Sequence, residues 1–455
     1  MKRTKRSVVL AASTFAALTL CAVVWAQQSD ILIKITGGEK PKIALPELRG
    51  TGAAQAQMAV FNETLNADIA GSGYFDVQPK TSYPLQVPQR PQDFKAPVNG
   101  AKQGPWLTDW SAAPVNADYL AFGYTAEQGG QLTLFGFLYN VRQPDLTNAS
   151  AISKVYFGTM DADGARKVAH EFAADILALA GAKSLAGTKI YFTSTRSGAR
   201  EIWVMDYDGA NQKQVTNLSG TAMNPVLSPD GTRLAFTTFT RGPSVMILST
   251  QTGRQMPFYN QRASLNATPE FTADGKIIFS STAGGGAAQL FMSNQDGTGL
   301  RRITDSRAID IHPRVNPKNS NDIAFVSGRS GPPQIYRMNT DGTEVVRLTA
   351  GDGEAVQPAW SPDGQFIAFA WTRGFAPGNY NIFIMDVASR TTVQLTHGAG
   401  RNENPNWAPD GRHLVFTSNR AGGTHIWTML ADGRDLRQLT TQGKNETPVW
   451  SSAQQ

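Results

Sequence analysis

The chain has 455 residues, with 42 Lys+Arg against 36 Asp+Glu and one cysteine. Four of the cations (Lys2, Arg3, Lys5, Arg6) and the lone Cys21 fall in the first 26 residues, so the remaining 429 carry 38 cations against 36 anions, a net charge of about +2. That balance argues against a nucleic-acid partner, and the missing cysteines exclude disulfides, thiolate chemistry and Cys-based zinc sites from residue 27 onward.

Residues 1–26 read as a secretory signal peptide: a basic start, an apolar or small run from Val8 to Val24, and cleavage between Ala26 and Gln27. The alternative, a membrane anchor, is disfavoured because the run is short and contains Ser13, Thr14 and Thr19. A periplasmic location follows from this reading. Gln27 to Gly38 is an arm with the alternating stretch Ile31-Leu32-Ile33-Lys34-Ile35-Thr36. It is either a docked edge strand or a segment that docks only part of the time.

Residues 39–180 read as a small α/β domain. Lys42 to Pro46 and Tyr74 to Val77 are strands, and Gln55 to Ile69 is a helix burying Met58, Phe61, Leu65 and Ile69. A Pro-, Gly- and Gln-rich loop covers about residues 79–105. Three further strands are expected at Tyr119–Tyr124, Gln131–Tyr139 and Lys154–Phe157. A closing helix, Ala162 to Leu179, is expected to bury Val168, Phe172, Ile176 and Leu179, with His170 on its polar side. Residues 181–187 are a small-residue linker.

From residue 188 to the end the chain repeats six times. Prolines at 225, 269, 313, 358, 405 and 448 give periods of 44, 44, 45, 47 and 43 residues. Four short strands in a unit of this length are the mark of a β-propeller blade, so the fold class is an α/β N-terminal domain followed by an all-β six-bladed β-propeller. Each unit turns at Pro-Asp-Gly or a relative of it. The variant Pro317-Lys318-Asn319 is expected to place Asn319 in the left-handed conformation. The first unit starts at its second strand, and the chain ends after a first-type strand, Thr447 to Ser451. The two are expected to complete one blade, with roughly 5 kcal/mol holding the closure.

Just before the six prolines stand Asn224, Thr268, His312, Gln357, Asn404 and Thr447. At the mouth of the channel they are either a hydrogen-bonding ring for a partner's loop or C-terminus, or caps on local backbone. An enzyme is not indicated. No Gly-x-Ser-x-Gly elbow occurs, and His170, His312, His397, His413 and His425 lack metal-ligand spacing. Acidic pairs such as Asp206 and Asp208 fall at turns. No catalytic residue, metal or cofactor is expected. Trp360, Trp407 and Trp450 offer stacking faces for a sugar, but their recurrence at one repeat position fits packing between blades better. The other alternative is a regulatory propeller of a serine peptidase system.

The order of signal peptide, β-like arm, α/β domain and six Pro-x-Trp-Ser-Pro-Asp-Gly-type repeats ending in Pro-Val-Trp-Ser resembles the TolB family of the Gram-negative Tol-Pal system. The resemblance implies a monomeric, non-enzymatic periplasmic adaptor supporting outer-membrane integrity and constriction during division. It implies that the channel face binds the peptidoglycan-associated lipoprotein Pal and that the arm binds TolA. The family's Pal-binding positions match Leu265, Thr268 and Ile311 here.

Overall fold

The computed structural model describes residues 40–240, 242–256, 258 and 265–452. The expected signal peptide, its cleavage site at Ala26 and Gln27, and the arm with Ile31 to Thr36 lie outside the described residues. The described chain divides into a unit ending at Ala186 and a second beginning at Gly187.

The first unit is built on one mixed sheet in the order β3-β1-β4-β5-β6, with β2 beside β4. Its strands are β1 (Lys42–Ala44), β2 (Arg49–Gly50), β3 (Asp76–Val77), β4 (Tyr119–Gln128), β5 (Gln131–Asn140) and β6 (Ser150–Gly158). Strand β1 runs parallel to β3 and β4, while β4, β5 and β6 are antiparallel. Helices α1 (Met58–Gly71) and α4 (Ala162–Leu179) bury Phe61, Leu65, Ile69, Val168, Phe172 and Ile176 against one sheet face. Two short helices absent from the sequence reading, α2 (Thr108–Ser111) and α3 (Leu146–Ala149), belong to the opposite face. There the stretch after α1 folds over β4, and Trp110 at its centre is fully buried beside Phe122 and Tyr139.

One expectation fails in this unit and a second is narrowed. Leu179 is 55% exposed, because the buried stripe of α4 passes through Ala173, Ile176 and Leu177 and Leu179 is the last residue of the helix. His170 does not face solvent: its Nδ1 lies 2.7 Å from Asp68 Oδ2 of α1, with both side chains largely buried. A hydrogen-bonded structural histidine accounts for it.

The second unit is six four-stranded antiparallel sheets. Blade 1 joins the last strand of the chain, Asn445–Trp450, to Lys189–Ser194, Glu201–Asp206 and Lys213–Gln214. The seam is therefore where the two partial repeats place it, with Val449 opposite Tyr191 and Trp450 opposite Ile190. The second strands supply the inter-blade core, and Phe192, Phe236, Phe325, Phe369 and Phe416 are each fully buried. A recurring threonine after the outer strand fastens the third strand of five blades. Thr216, Thr304, Thr349, Thr396 and Thr440 accept from the backbone N–H of Ile202, Leu290, Ile335, Ile382 and Ile426 at 2.8–2.9 Å. A hydroxyl there satisfies a buried donor that an outer strand of two or three residues does not reach.

In the Pro-Asp-Gly turns the aspartate accepts from the backbone two residues on, as Asp230 does from Thr232 at 3.0 Å and Asp363 from Gln365 at 3.0 Å. Glycines 231, 364 and 411 follow at φ near +70°. Asn319 departs from expectation and is not left-handed. One extra residue in that repeat lengthens the hairpin, so Asn319 opens a nine-residue strand opposite Asn316, and Pro317-Lys318 alone make the turn.

Candidate functional site

The six residues before the repeat prolines share one backbone conformation. Asn224, Thr268, His312, Gln357, Asn404 and Thr447 have φ of 54°, 49°, 52°, 57°, 52° and 50°. None is glycine, and a side chain at positive φ is uncommon and costs about 1–3 kcal/mol where it persists. At each one the inner strand slips its register against the second strand, for example between Val356 and Ala359 and between Glu403 and Asn406. Proline cannot donate to the ladder, so the strand bulges there. A bulge repeated in every blade becomes a ring around the channel.

The ring is stitched from blade to blade. Gln357 Oε1 accepts the backbone N–H of Asn404 at 2.9 Å. Thr237 Oγ1 accepts that of Thr268 at 3.0 Å, and Thr268 Oγ1 accepts that of His312 at 3.4 Å. Thr447 shares a hydroxyl contact of 2.8 Å with Thr193. Three of the donors freed by the bulges, those of Thr268, His312 and Asn404, thus point toward the preceding blade. Thr268 is spent entirely in this role: it is buried, with its hydroxyl 2.6 Å from Ser280 Oγ. The other five ring residues line a small chamber in the channel together with Arg314.

Beyond the chamber, toward the Asp-Gly turns, lies a wider vestibule of about 230 Å³ lined by Val226, Glu270, Arg314, Trp360, Asn406 and Trp450 among others. Arg314 borders both spaces. Its Nη1 lies 2.9 Å from Glu270 Oε2, an ion pair between adjacent inner strands. Burial raises the Glu270 carboxyl even with Arg314 beside it. Burial, reinforced by the Arg314 charge, pushes His312 down to about 4, so the ring is neutral at pH 7.

On the opposite side, where loops lead into the inner strands, the rim of blades 2 to 4 is apolar. Leu265 and Ile311 are half-buried, and Phe239 and Ile309 are 41% and 40% exposed. Phe239 and Ile309 did not emerge from the sequence, since nothing in a repeat alignment separates an exposed loop residue from a buried one. Neither did three arginines that brace the inner strands. Arg196, Arg329 and Arg420 lie over aromatic rings of their own blades and donate to Asn445, Asp310 and Asn402 at 3.2, 3.0 and 2.7 Å. Their signal was Ser-x-Arg at the end of a second strand.

Trp360, Trp407 and Trp450 are almost wholly covered. Trp360 and Trp407 donate to the carbonyls of Arg314 and Ala359 on the preceding blade, and Trp450 to Thr188 Oγ1; all three are at most 7% exposed. His413 lies 2.6 Å from Asp410 and His425 lies 3.3 Å from Asn445, whereas His397 is exposed. Among the described residues no cluster of His, Cys, Asp and Glu could hold a metal ion, and no helix is long and apolar enough to cross a membrane.

The family model "TolB beta propeller domain" matches residues 176–375 and 350–455. A TolB homolog of Chlorobium luteolum is 32% identical over 402 residues, covering 88% of this chain and 87% of that protein. Another, from Chlorobium chlorochromatii, is 37% identical over 217 residues, 47% of each chain. The crystal structure of TolB from Acinetobacter baumannii superposes with a TM-score of 0.71 at 22% identity, covering 90% of this chain and 96% of that one, a likeness of fold. With 88% of the chain in the long alignment and the repeats inside the family model, the chain belongs to the TolB family.

Proposed function

We propose that this protein is a non-enzymatic adaptor of the Tol-Pal system that holds Pal on the rim of its propeller and TolA on its N-terminal arm. Family membership ties the chain to the system, and TolB homologs are periplasmic. The observation that carries the surface assignment is the ring itself. Six strained bulges bring the rim loops together around the channel, and the apolar arc of Phe239, Leu265, Ile309 and Ile311 adjoins them. An apolar centre with a polar, hydrogen-bonding border is the composition of a protein-binding patch. Pal would seat on the arc and reach the ring residues Asn224, His312, Gln357, Asn404 and Thr447, with Thr268 supporting them from below. The arm, Gln27 to Gly38 with Ile31 to Thr36 at its centre, would carry TolA. A Pal-bound state that shifts the arm's docking equilibrium couples the two partners by one free energy.

Co-purification from periplasmic extract tests both halves. The intact protein should capture Pal and TolA, the protein lacking residues 27–38 should capture Pal alone, and Ile309→Asp/Ile311→Asp should lose Pal. Capture of TolA by the shortened protein ends the arm assignment. Undiminished capture of Pal by the correctly folded double variant ends the rim assignment.

A further inference from the structure

The chamber inside the ring has an uneven inventory of hydrogen-bonding groups. It is lined by Asn224, His312, Arg314, Gln357, Asn404 and Thr447, so the one fully charged side chain on its wall is a guanidinium and no carboxylate faces it. Glu270 lies on the vestibule side, engaged with Arg314 Nη1.

The remaining groups are biased toward donation. Only an oxygen can accept the Asn404 N–H, so Gln357 turns its carbonyl to that bond and is left with its amide NH₂ to offer. Among the described residues Nε and Nη2 of Arg314 make no hydrogen bond, and the side-chain amides of Asn224 and Asn404 make none either. His312 Nδ1 is buried without a partner. Buried polar atoms are nearly always satisfied, so an orphan here marks a group that the protein chain does not itself supply. The ring is held neutral by burial and the neighbouring guanidinium, and it can carry its proton on Nδ1. The chamber, of about 20 Å³, has room for one small ion or a single head group rather than a larger ligand.

We propose that this chamber binds a single small monoanion, a halide or one carboxylate head, held by Arg314 with donation from Gln357, Asn404, Asn224 and His312. Donors converging on a positive charge out of bulk water favour an anion. The same wall offers a cation two amide carbonyls and one hydroxyl beside a fixed positive charge, which opposes it. A free halide and a carboxylate from a docked partner share this chemistry.

The test uses the purified protein and four salts at matched ionic strength: sodium bromide, sodium formate, sodium methanesulfonate and calcium methanesulfonate. Bromide and formate should raise the melting temperature above methanesulfonate, which is neither a halide nor a carboxylate, in a saturable way, and bromide-soaked crystals should show an anomalous peak in the chamber. Gln357→Glu keeps an acceptor for Asn404 while placing a carboxylate in the chamber. It should fold and need at least tenfold more bromide for half of the rise. A rise with both anions assigns a free ion; a rise with formate alone assigns a partner's carboxylate. Equal melting in all sodium salts, a rise with calcium alone, or a Gln357→Glu variant that responds to bromide as the parent does would each overturn the proposal.

Discussion

Gln357 and Asn404 occupy the same position in successive blades, and the side chain of the first accepts the backbone N–H of the second at 2.9 Å. The bond exists because Asn404 is left-handed: its bulge turns the N–H out of its own ladder and toward the neighbouring strand. Gln357→Ala removes the acceptor and leaves a half-buried donor unpaired, which costs about 1–3 kcal/mol. Thermal unfolding should show a lower melting temperature for Gln357→Ala than for Gln357→Glu. Equal melting of the two would mean that solvent already satisfies Asn404.

The seam of the ring depends on Trp450. Its indole is 7% exposed, bonded to Thr188 Oγ1 at 2.9 Å, and its strand completes blade 1 against Lys189–Ser194. Trp450→Ala should destabilise the propeller by about 3–5 kcal/mol, the usual loss for a large core aromatic. Removing residues 446–455 should open the ring and raise proteolysis of blade 1. An unchanged melting temperature for the truncated chain would show that the seam contributes nothing to closure.

Much of the propeller was legible because its signals are periodic. The proline spacing, the Asp-Gly turns and the aliphatic-x-Phe second strands repeat, and Leu414-Val415-Phe416 alone would not have distinguished a blade from any buried strand. The ring positions were visible as polar residues before proline, but their positive φ was not. Residues before proline ordinarily stay extended, so sequence preference pointed the other way and blade packing decided. Leu179 failed for a simpler reason: helical periodicity continues past the point where the sheet stops offering a surface. The loop across β4 was illegible because its anchors, Phe94, Leu107 and Trp110, follow no period. The fold of the second strands therefore followed from pattern, while the chamber, the arginine braces and Thr268's burial required the tertiary structure.

Acid should loosen the ring through His312. Burial, then the Arg314 charge, holds its folded value at about 4 against an ordinary 6.5. The unfolded chain therefore takes up the proton first. Stability is intact above pH 6.5 and declines as pH falls toward 4, by about 3 kcal/mol at most. His312→Gln cannot titrate, so its melting temperature should fall less than that of the parent between pH 6.5 and 4. Parallel pH profiles would place the proton elsewhere.

In the N-terminal unit the sharpest test is Gly164, in the first turn of α4. A Cβ there would lie 2.0 Å from the Thr159 carbonyl oxygen and 2.3 Å from the Thr159 nitrogen, both backbone atoms that cannot swing aside. The approach is this close because Asp161 caps the helix, accepting from the Gly164 N–H at 2.8 Å and from the Thr159 hydroxyl at 2.6 Å, which draws the end of β6 under the first turn. Alanine ordinarily favours a helix over glycine by about 1 kcal/mol. Here that gain is smaller than the 1–3 kcal/mol or more that overpacking against fixed backbone costs. Gly164→Ala should therefore destabilise the N-terminal unit, whereas Ala174→Gly, farther along the same helix, should cost only the propensity difference. Calorimetry resolves the two cases. An N-terminal transition that rises in Gly164→Ala would show that the strand end yields to the added methyl, and that the cap rather than the close approach fixes how α4 meets β6.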